Sequence, residues 1–250
     1  MEHPETFNPR RKTLGVIDWK GRSGYAMQIL ILGAGAVGGY IGMRLIEAGT
    51  DVAFVARRDR LKQLSRQGLV VRSPLGARAT PVVAFEHPAP GLKPDIVVIA
   101  CKAPALDGAI AAIKPCVGEE TLILPVLNGI KHIETFHQVF PGNPILGGIV
   151  HGALTLTPEG TIDHLSPFFS LIVGPMSGAV DLVTQGLIES LANAQVDVRL
   201  SADIQQDLWS KFVFLTSLAG ITCLMRASIG TIMASVDGPQ LTRQLFGECL

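Results

Sequence analysis

The stretch that most restricts this chain is Leu30 to Gly42, LILGAGAVGGYIG. The apolar run Met27 to Leu32 reads as a buried strand, stops at Gly33-x-Gly35-x-x-Gly38, and is followed through Glu47 by residues with helical spacing. A strand, a glycine turn and a helix in that order predict a dinucleotide-binding unit. Gly33 suits the tight turn, Gly35 leaves bare backbone for a pyrophosphate to approach, and Gly38 lets the helix pack closely on the strand. With Ala34, Ala36 and Val37 completing the turn, the free N–H groups at the helix start would face the phosphates. An ordinary glycine-rich loop shows the same spacing, and the flanking strand and helix are what separate the two readings.

A second strand, Asp51 to Ala56, ends in Arg57-Arg58-Asp59-Arg60. In this architecture the tip of the second strand meets the adenosine ribose, where a carboxylate selects a 2′-hydroxyl and an arginine selects a 2′-phosphate. Arg57 therefore points to NADP(H), with Arg58, Arg60 and Lys62 either assisting or standing as solvated charges at the start of a helix. Further β-like runs at Gly68 to Arg72 and Thr80 to Phe85 precede a buried strand, Asp95 to Ala100, flanked by Cys101-Lys102. A helix, Ala105 to Ile113, leads to another buried strand, Thr121 to Val126, which ends at Leu127-Asn128-Gly129. This alternation implies parallel βαβ units, whose ligands collect at the carboxyl ends of the strands. The glycine turn, Lys102 and Asn128 all fall at such ends, although a lysine there is commonly only a surface residue and Asn-Gly only a turn.

From Ile145 the chain is β-rich, with Pro158-Glu159-Gly160 as a hairpin turn, and reads as antiparallel addition to the sheet. His151 and His164 are candidate acids or bases, though lone histidines in hairpins are commonly structural. A helix over Val180 to Ala194 and a strand over Val196 to Leu200 follow. Beyond Ala202 the pattern is helical, with Asp203 as a cap and Lys211 the only charge from Leu208 up to Arg226. Such a lysine is costly unless paired or functional. It either donates a proton from a lowered pKa or snorkels out and pairs with Asp207 four residues back.

Composition restricts the partners. Lys plus Arg equals Asp plus Glu at 21 each, so no global field argues for nucleic acid. The four cysteines have no Cys-x-x-Cys spacing, which speaks against a metal site or disulfide framework and for a reducing cytoplasm. The apolar stretch Phe212 to Met225 falls short of the roughly 20 residues of a membrane span and reads as a buried helix. Residues 1–26 are polar, lack a signal-peptide pattern and are expected to be a disordered extension, with Met27 a plausible natural start.

Taken in order, LILGAGAVGGYIG with Arg57, CKAPAL with Lys102, LNGI with Asn128, HGALTLTPEGTIDH, DLWSKF with Lys211 and RASIGTI resemble the ketopantoate reductase family of 2-dehydropantoate 2-reductases. The resemblance runs from Met27 to the chain end. It implies NADPH-dependent reduction of 2-dehydropantoate to (R)-pantoate, in the route to pantothenate and coenzyme A. It makes Lys211 the general acid that protonates the carbonyl oxygen, and has Asn128 contact both cofactor and substrate. Lys102 would hold the cofactor.

Two departures qualify the match. Where such enzymes place substrate-binding asparagines four and eight residues beyond the lysine, this chain has Leu215 and Ala219. Apolar groups cannot bind a hydroxyl, which predicts a different, less hydroxylated 2-oxo acid or weak activity on ketopantoate. The chain also stops inside an amphipathic helix, Pro239 to Cys249, which reads as truncation. The expected fold class is thus α/β: a Rossmann-like NADP-binding domain over 27–200 and an all-helical, apparently truncated C-terminal domain over 201–250 that could pair across a homodimer. The competing expectations are a reductase of another 2-oxo acid and a catalytically silent NADP(H)-binding fragment.

Overall fold

The computed structural model describes residues 27–88 and 91–250, so the expected disordered extension at 1–26 lies outside the described residues. β1 (Gln28–Leu32) sends Ile29 and Ile31 into one apolar cluster and Leu30 and Leu32 into another. Burial on both faces is why its sequence is a continuous apolar run. The turn at Gly33 leads to α1 (Ala36–Glu47), and β2 (Asp51–Val55) returns parallel to β1, from Gln28 opposite Asp51 to Leu32 opposite Val55.

After α2 (Arg58–Gln67) the chain leaves this sheet. β3 (Leu69–Arg72) and β4 (Arg78–Thr80) form an antiparallel pair in a second sheet, and β5 (Val83–Phe85) comes back to pair with β2. The reading of Thr80 to Phe85 as one strand is corrected accordingly. Pro81, with no N–H to donate to a ladder, separates two strands that belong to different sheets. β6 (Ile96–Ile99), α3 (Leu106–Ile113), β7 (Leu122–Pro125) and α4 (Lys131–Val139) follow. The first sheet is all parallel, in the order β5-β2-β1-β6-β7.

β8 (Leu146–Leu156) and β9 (Thr161–Pro175) form a long antiparallel hairpin whose turn has Gly160 at φ +91°. The expected addition of this hairpin to the first sheet is also corrected. After α5 (Leu182–Asn193), β10 (Asp197–Leu200) lies parallel to the end of β9, while β3 lies parallel to its beginning. The hairpin is thus the centre of a second sheet. Among the described residues a single bridge, Ile123 opposite Ile145, ties it to β7. α1 packs between the sheets, with Phe54 and Ile31 from one and Leu69, Ile162 and Leu171 from the other in a common core.

α6 (Ile204–Met225), α7 (Ile229–Met233) and α8 (Gly238–Cys249) follow. The Asp203 carboxylate caps α6 by accepting from the Gln206 N–H at 3.0 Å. The expected buried helix over Phe212 to Met225 is corrected by the structure. Within α6 only Ile204, Leu208, Ser217 and Ile221 are buried, while Phe214 and Leu224 are 59% and 69% exposed. The physical reason is that α6 meets the hairpin along its first turns and α7 and α8 along its last, which leaves its remaining faces to solvent. Because the helix starts at Ile204, its 22 residues are long and apolar enough for a membrane span by length and composition alone. Its first turns are engaged by the hairpin instead, through Ile204, Leu208 and Lys211.

Candidate active site

The carboxyl ends of β1, β2 and β6 open onto a cleft of about 470 Å³. The glycine turn forms one wall because of two local constraints. Gly33 has φ +106°, and a Cβ there would stand 2.9 Å from the Ala100 carbonyl oxygen, so only glycine turns the chain at this point. A Cβ on Gly38 would strike the Gly33 carbonyl oxygen and reach 2.8 Å from Ala100 Cβ, which is the close helix–strand packing expected of the third glycine. Gly35 is different: a Cβ there would find nothing within 4 Å. Its freedom faces space that a ligand can use.

Of the sequence-derived cofactor residues, Gly33, Ala34, Gly35, Arg57 and Lys102 line this cleft. Ala36, Val37 and Gly38 start α1 behind it. Arg57 is exposed at the tip of β2, and its side chain makes no hydrogen bond or ion pair among the described residues. Its neighbours are committed elsewhere: Arg58 pairs with Glu86 at 2.9 Å, Lys62 lies 3.9 Å from Asp59, and Arg60 binds main-chain carbonyls. Cys101 faces the same cleft, and burial raises its thiol pKa, so it stands there as a neutral group.

Asn128 and Lys211 do not line the cleft, and Lys211 instead reaches β8. Ile123 bridges Ile145 in parallel, and Gly148 packs on Leu124, Val126 and the Pro125 carbonyl. The two segments run side by side, and Asn128 lies exposed in the bend that follows β7. Lys211 Nζ donates to the Val150 carbonyl oxygen at 2.9 Å. The expected alternative, pairing with Asp207, does not form: that carboxylate accepts from Ser201 Oγ at 2.6 Å and Arg199 at 2.9 Å. The Ser201 hydroxyl and then Arg199 hold Asp207 below the usual carboxylate range, whereas burial alone lowers Lys211 from 10.5. An ammonium without a carboxylate and with a depressed pKa suits proton donation.

The two candidate histidines separate. His164 is buried, accepts or donates to Ser73 Oγ at 2.9 Å and lies against Tyr40 with ring centroids 4.6 Å apart, a structural role. His151 stays exposed next to Val150, its pKa lowered by partial burial and then by the charges of Lys211 and Arg199. Sequence reasoning missed Leu156, which lines the cleft from the hairpin, and His132, buried on α4 with its Nε2 unpartnered. It also left the role of Arg60 open. No local signal marks these residues, since neither burial nor cleft lining is specified by their immediate neighbours in sequence.

A parallel sheet of this order, a glycine turn at its centre and a cleft at the strand ends are the architecture of a dinucleotide-binding oxidoreductase. The chain belongs to the ketopantoate reductase family: the PanE/ApbA family model matches residues 29–178 and the family's C-terminal model residues 203–250. It is similar to the uncharacterized oxidoreductase YkpB of Bacillus subtilis (strain 168), with 35% identity over 89% of this chain and 73% of the relative. A 2-dehydropantoate 2-reductase of Nostoc sp. (strain PCC 7120) is 28% identical over 87% of this chain and 70% of its own. The crystal structure of 2-dehydropantoate 2-reductase from Geobacter metallireducens GS-15 superposes with a TM-score of 0.81 at 28% identity, covering 89% of this chain and 74% of that one. Membership makes the chain an oxidoreductase acting on a carbinol–carbonyl pair, with a nicotinamide dinucleotide as the cofactor class and a small 2-oxo acid as the substrate class. The glycine turn and open cleft fit that cofactor.

Proposed function

We propose that this protein reduces 2-dehydropantoate to (R)-pantoate with NADPH, in the cytoplasm, as a step of pantothenate and coenzyme A formation. The observation that carries the reading is Lys211, an ammonium with no carboxylate partner among the described residues, held on the Val150 carbonyl within β8. Arg57, at the tip of β2 and without a side-chain partner among the described residues, supports a 2′-phosphate over a 2′-hydroxyl. All four cysteines are free, in keeping with a reducing compartment.

The bound nicotinamide would supply the hydride that reduces the carbonyl carbon. The bare backbone at Gly35 and the unpaired N–H groups at the start of α1 would hold the pyrophosphate, while Gly33, whose own N–H donates to the Val55 carbonyl at 3.0 Å, shapes the turn. Arg57 would hold the 2′-phosphate and Lys102 the cofactor within the cleft. Lys211 has three N–H donors and gives one to Val150, which leaves two for the substrate oxygen. As negative charge develops on that oxygen, Lys211 stabilises it and then transfers a proton to it. Asn128 offers an amide to the same substrate.

A second reading rests on Leu215 and Ala219. They follow Lys211 by four and eight residues on one side of α6, Leu215 partly buried and Ala219 exposed. An apolar strip there favours a less hydroxylated 2-oxo acid. NADPH oxidation by the purified protein with ketopantoate, a panel of other 2-oxo acids and NADH as control tests both. Ketopantoate turnover that prefers NADPH supports the first reading, and activity only with another acid the second. Binding of NADPH without reduction of any acid overturns both and leaves a dinucleotide-binding protein.

A further inference from the structure

Three side chains of α2 reach the tip of the β8–β9 hairpin. Arg60 Nη1 donates to the Gly160 carbonyl at 2.6 Å, Gln63 Nε2 to Pro158 at 2.9 Å and Gln67 Nε2 to Glu159 at 2.9 Å. Gln63 Oε1 also accepts from Arg60 Nη1 at 3.2 Å. Every carbonyl of the turn Pro158-Glu159-Gly160 is therefore held from one helix. Arg60 does more, because its Nε donates at 2.7 Å to the carbonyl of Ala34, in the middle of the glycine turn. One guanidinium joins the phosphate-binding turn of the first sheet to the hairpin tip of the second, across 26 residues of chain in one direction and 100 in the other.

The cost of this arrangement is visible. Arg60 is partly buried without a carboxylate, its pKa is lowered by desolvation, and its Nη2 is buried with no partner. A buried charge left in that condition is unfavourable for stability alone. What it gains is geometry. With the Ala34 carbonyl held by Arg60, the peptide between Ala34 and Gly35 is fixed just before α1, whose first N–H groups have no intrahelical partner and can meet a phosphate. With the hairpin tip fixed, Leu156 at the end of β8 forms part of the cleft lining.

We infer that Arg60 is a positioning residue for dinucleotide binding, locking the glycine turn against the hairpin tip so that the cleft is preformed. The inference rests on the cofactor reading above but assigns Arg60 a role distinct from that of Arg57. Arg57 discriminates between the two dinucleotides, whereas Arg60 sets the affinity for both. Preorganisation of this kind raises affinity by removing an ordering cost from the binding step.

The test uses the full chain and compares wild type, Arg60→Met, Arg60→Lys and Arg57→Met by NADPH and NADH titration, cofactor KM and kcat. Arg60→Met is expected to weaken NADPH and NADH tenfold or more by the same factor, raising cofactor KM while kcat at saturation holds. Arg60→Lys, which can reach one carbonyl but not both, is expected to lie between. Arg57→Met is expected to weaken NADPH alone. A folded Arg60→Met that binds both cofactors like wild type overturns the inference, as does one that loses NADPH alone, because that would make Arg60 a phosphate ligand. Should Arg60→Met fail to fold, Arg60→Lys, which keeps the charge but cannot hold both the Ala34 and the Gly160 carbonyl, takes its place. Equal weakening of both cofactors then supports the inference, and unchanged binding overturns it. Wild type that binds neither dinucleotide overturns the cofactor reading itself and this inference with it.

Discussion

Lys211 Nζ and the carbonyl oxygen of Val150 lie 2.9 Å apart, 61 residues distant in sequence, while Asp207 on the same helix is occupied by Ser201 and Arg199. The lysine is thus aligned by main chain and, among the described residues, has no counter-ion. Lys211→Met is expected to lower turnover about 10²–10⁴-fold, the range for loss of a general acid, with NADPH affinity within about twofold of wild type. Because burial lowers the Lys211 pKa, the protonated donor is lost on raising pH before an ordinary lysine would lose its proton. The alkaline limb of kcat should therefore fall below 10.5 and vanish in the variant.

Arg57 is the residue we propose to set the cofactor preference. Arg57→Ala should weaken NADPH by about 10- to 100-fold, corresponding to roughly 1.5–3 kcal/mol for hydrogen bonds to a charged group, and leave NADH unchanged. Fluorescence titration of both nucleotides separates this outcome from a general loss of binding.

The glycine turn allows stability and binding to be separated. Gly38→Ala would drive a Cβ into the Gly33 carbonyl oxygen and should cost about 1–3 kcal/mol of stability through overpacking. Gly35→Ala meets no protein atom within 4 Å and should unfold within about 0.5 kcal/mol of wild type, as unstrained substitutions do, yet lose dinucleotide affinity tenfold or more. Denaturant titration and cofactor titration of the two variants check both statements.

His132 should set part of the acid limit of stability. It is 6% exposed, its Nε2 has no partner, and desolvation lowers its pKa from 6.5 to about 4. The unfolded chain then binds the proton more readily, so stability present above pH 6.5 is lost as pH falls toward 4. By pH 5 the loss is about 2 kcal/mol. Urea unfolding of wild type and His132→Phe at pH 7 and pH 5 should show this component in the wild type and its absence in the variant.

Leu215 and Ala219 should decide substrate choice. Leu215→Asn with Ala219→Asn is expected to raise kcat/KM for 2-dehydropantoate and lower it for apolar 2-oxo acids, because a site that hydrogen-bonds a hydroxyl rejects substrates without one. Equal effects on both substrate types would show that this strip lies away from the substrate.

The first sheet was legible because its signals are local. Apolar runs at β1, β6 and β7, each buried on both faces, announce themselves without reference to any partner. The second sheet was less so. Val70 and Thr161 pair across a long stretch of chain, and nothing near either residue specifies that register. In the site, Gly33, Gly35, Arg57 and Lys102 were found from their positions after strands, whereas Arg60, Leu156 and His132 were not. An arginine opening a helix looks the same whether it is solvated or, as here, joins two sheets.

By itself the sequence determined the strand, glycine turn and helix around Gly33 and the arginine at the tip of β2. Steric rules and strand periodicity act within a few residues, so these features need no distant partner. Tertiary structure alone decided that Pro81 separates strands of different sheets, that α6 keeps much of its apolar surface in solvent, and that the Lys211 amine goes to Val150 rather than Asp207. Each of those outcomes depends on which distant backbone arrives beside the residue. That is fixed by the pairing of β8, β9 and β3 and by the packing of α6 against the hairpin.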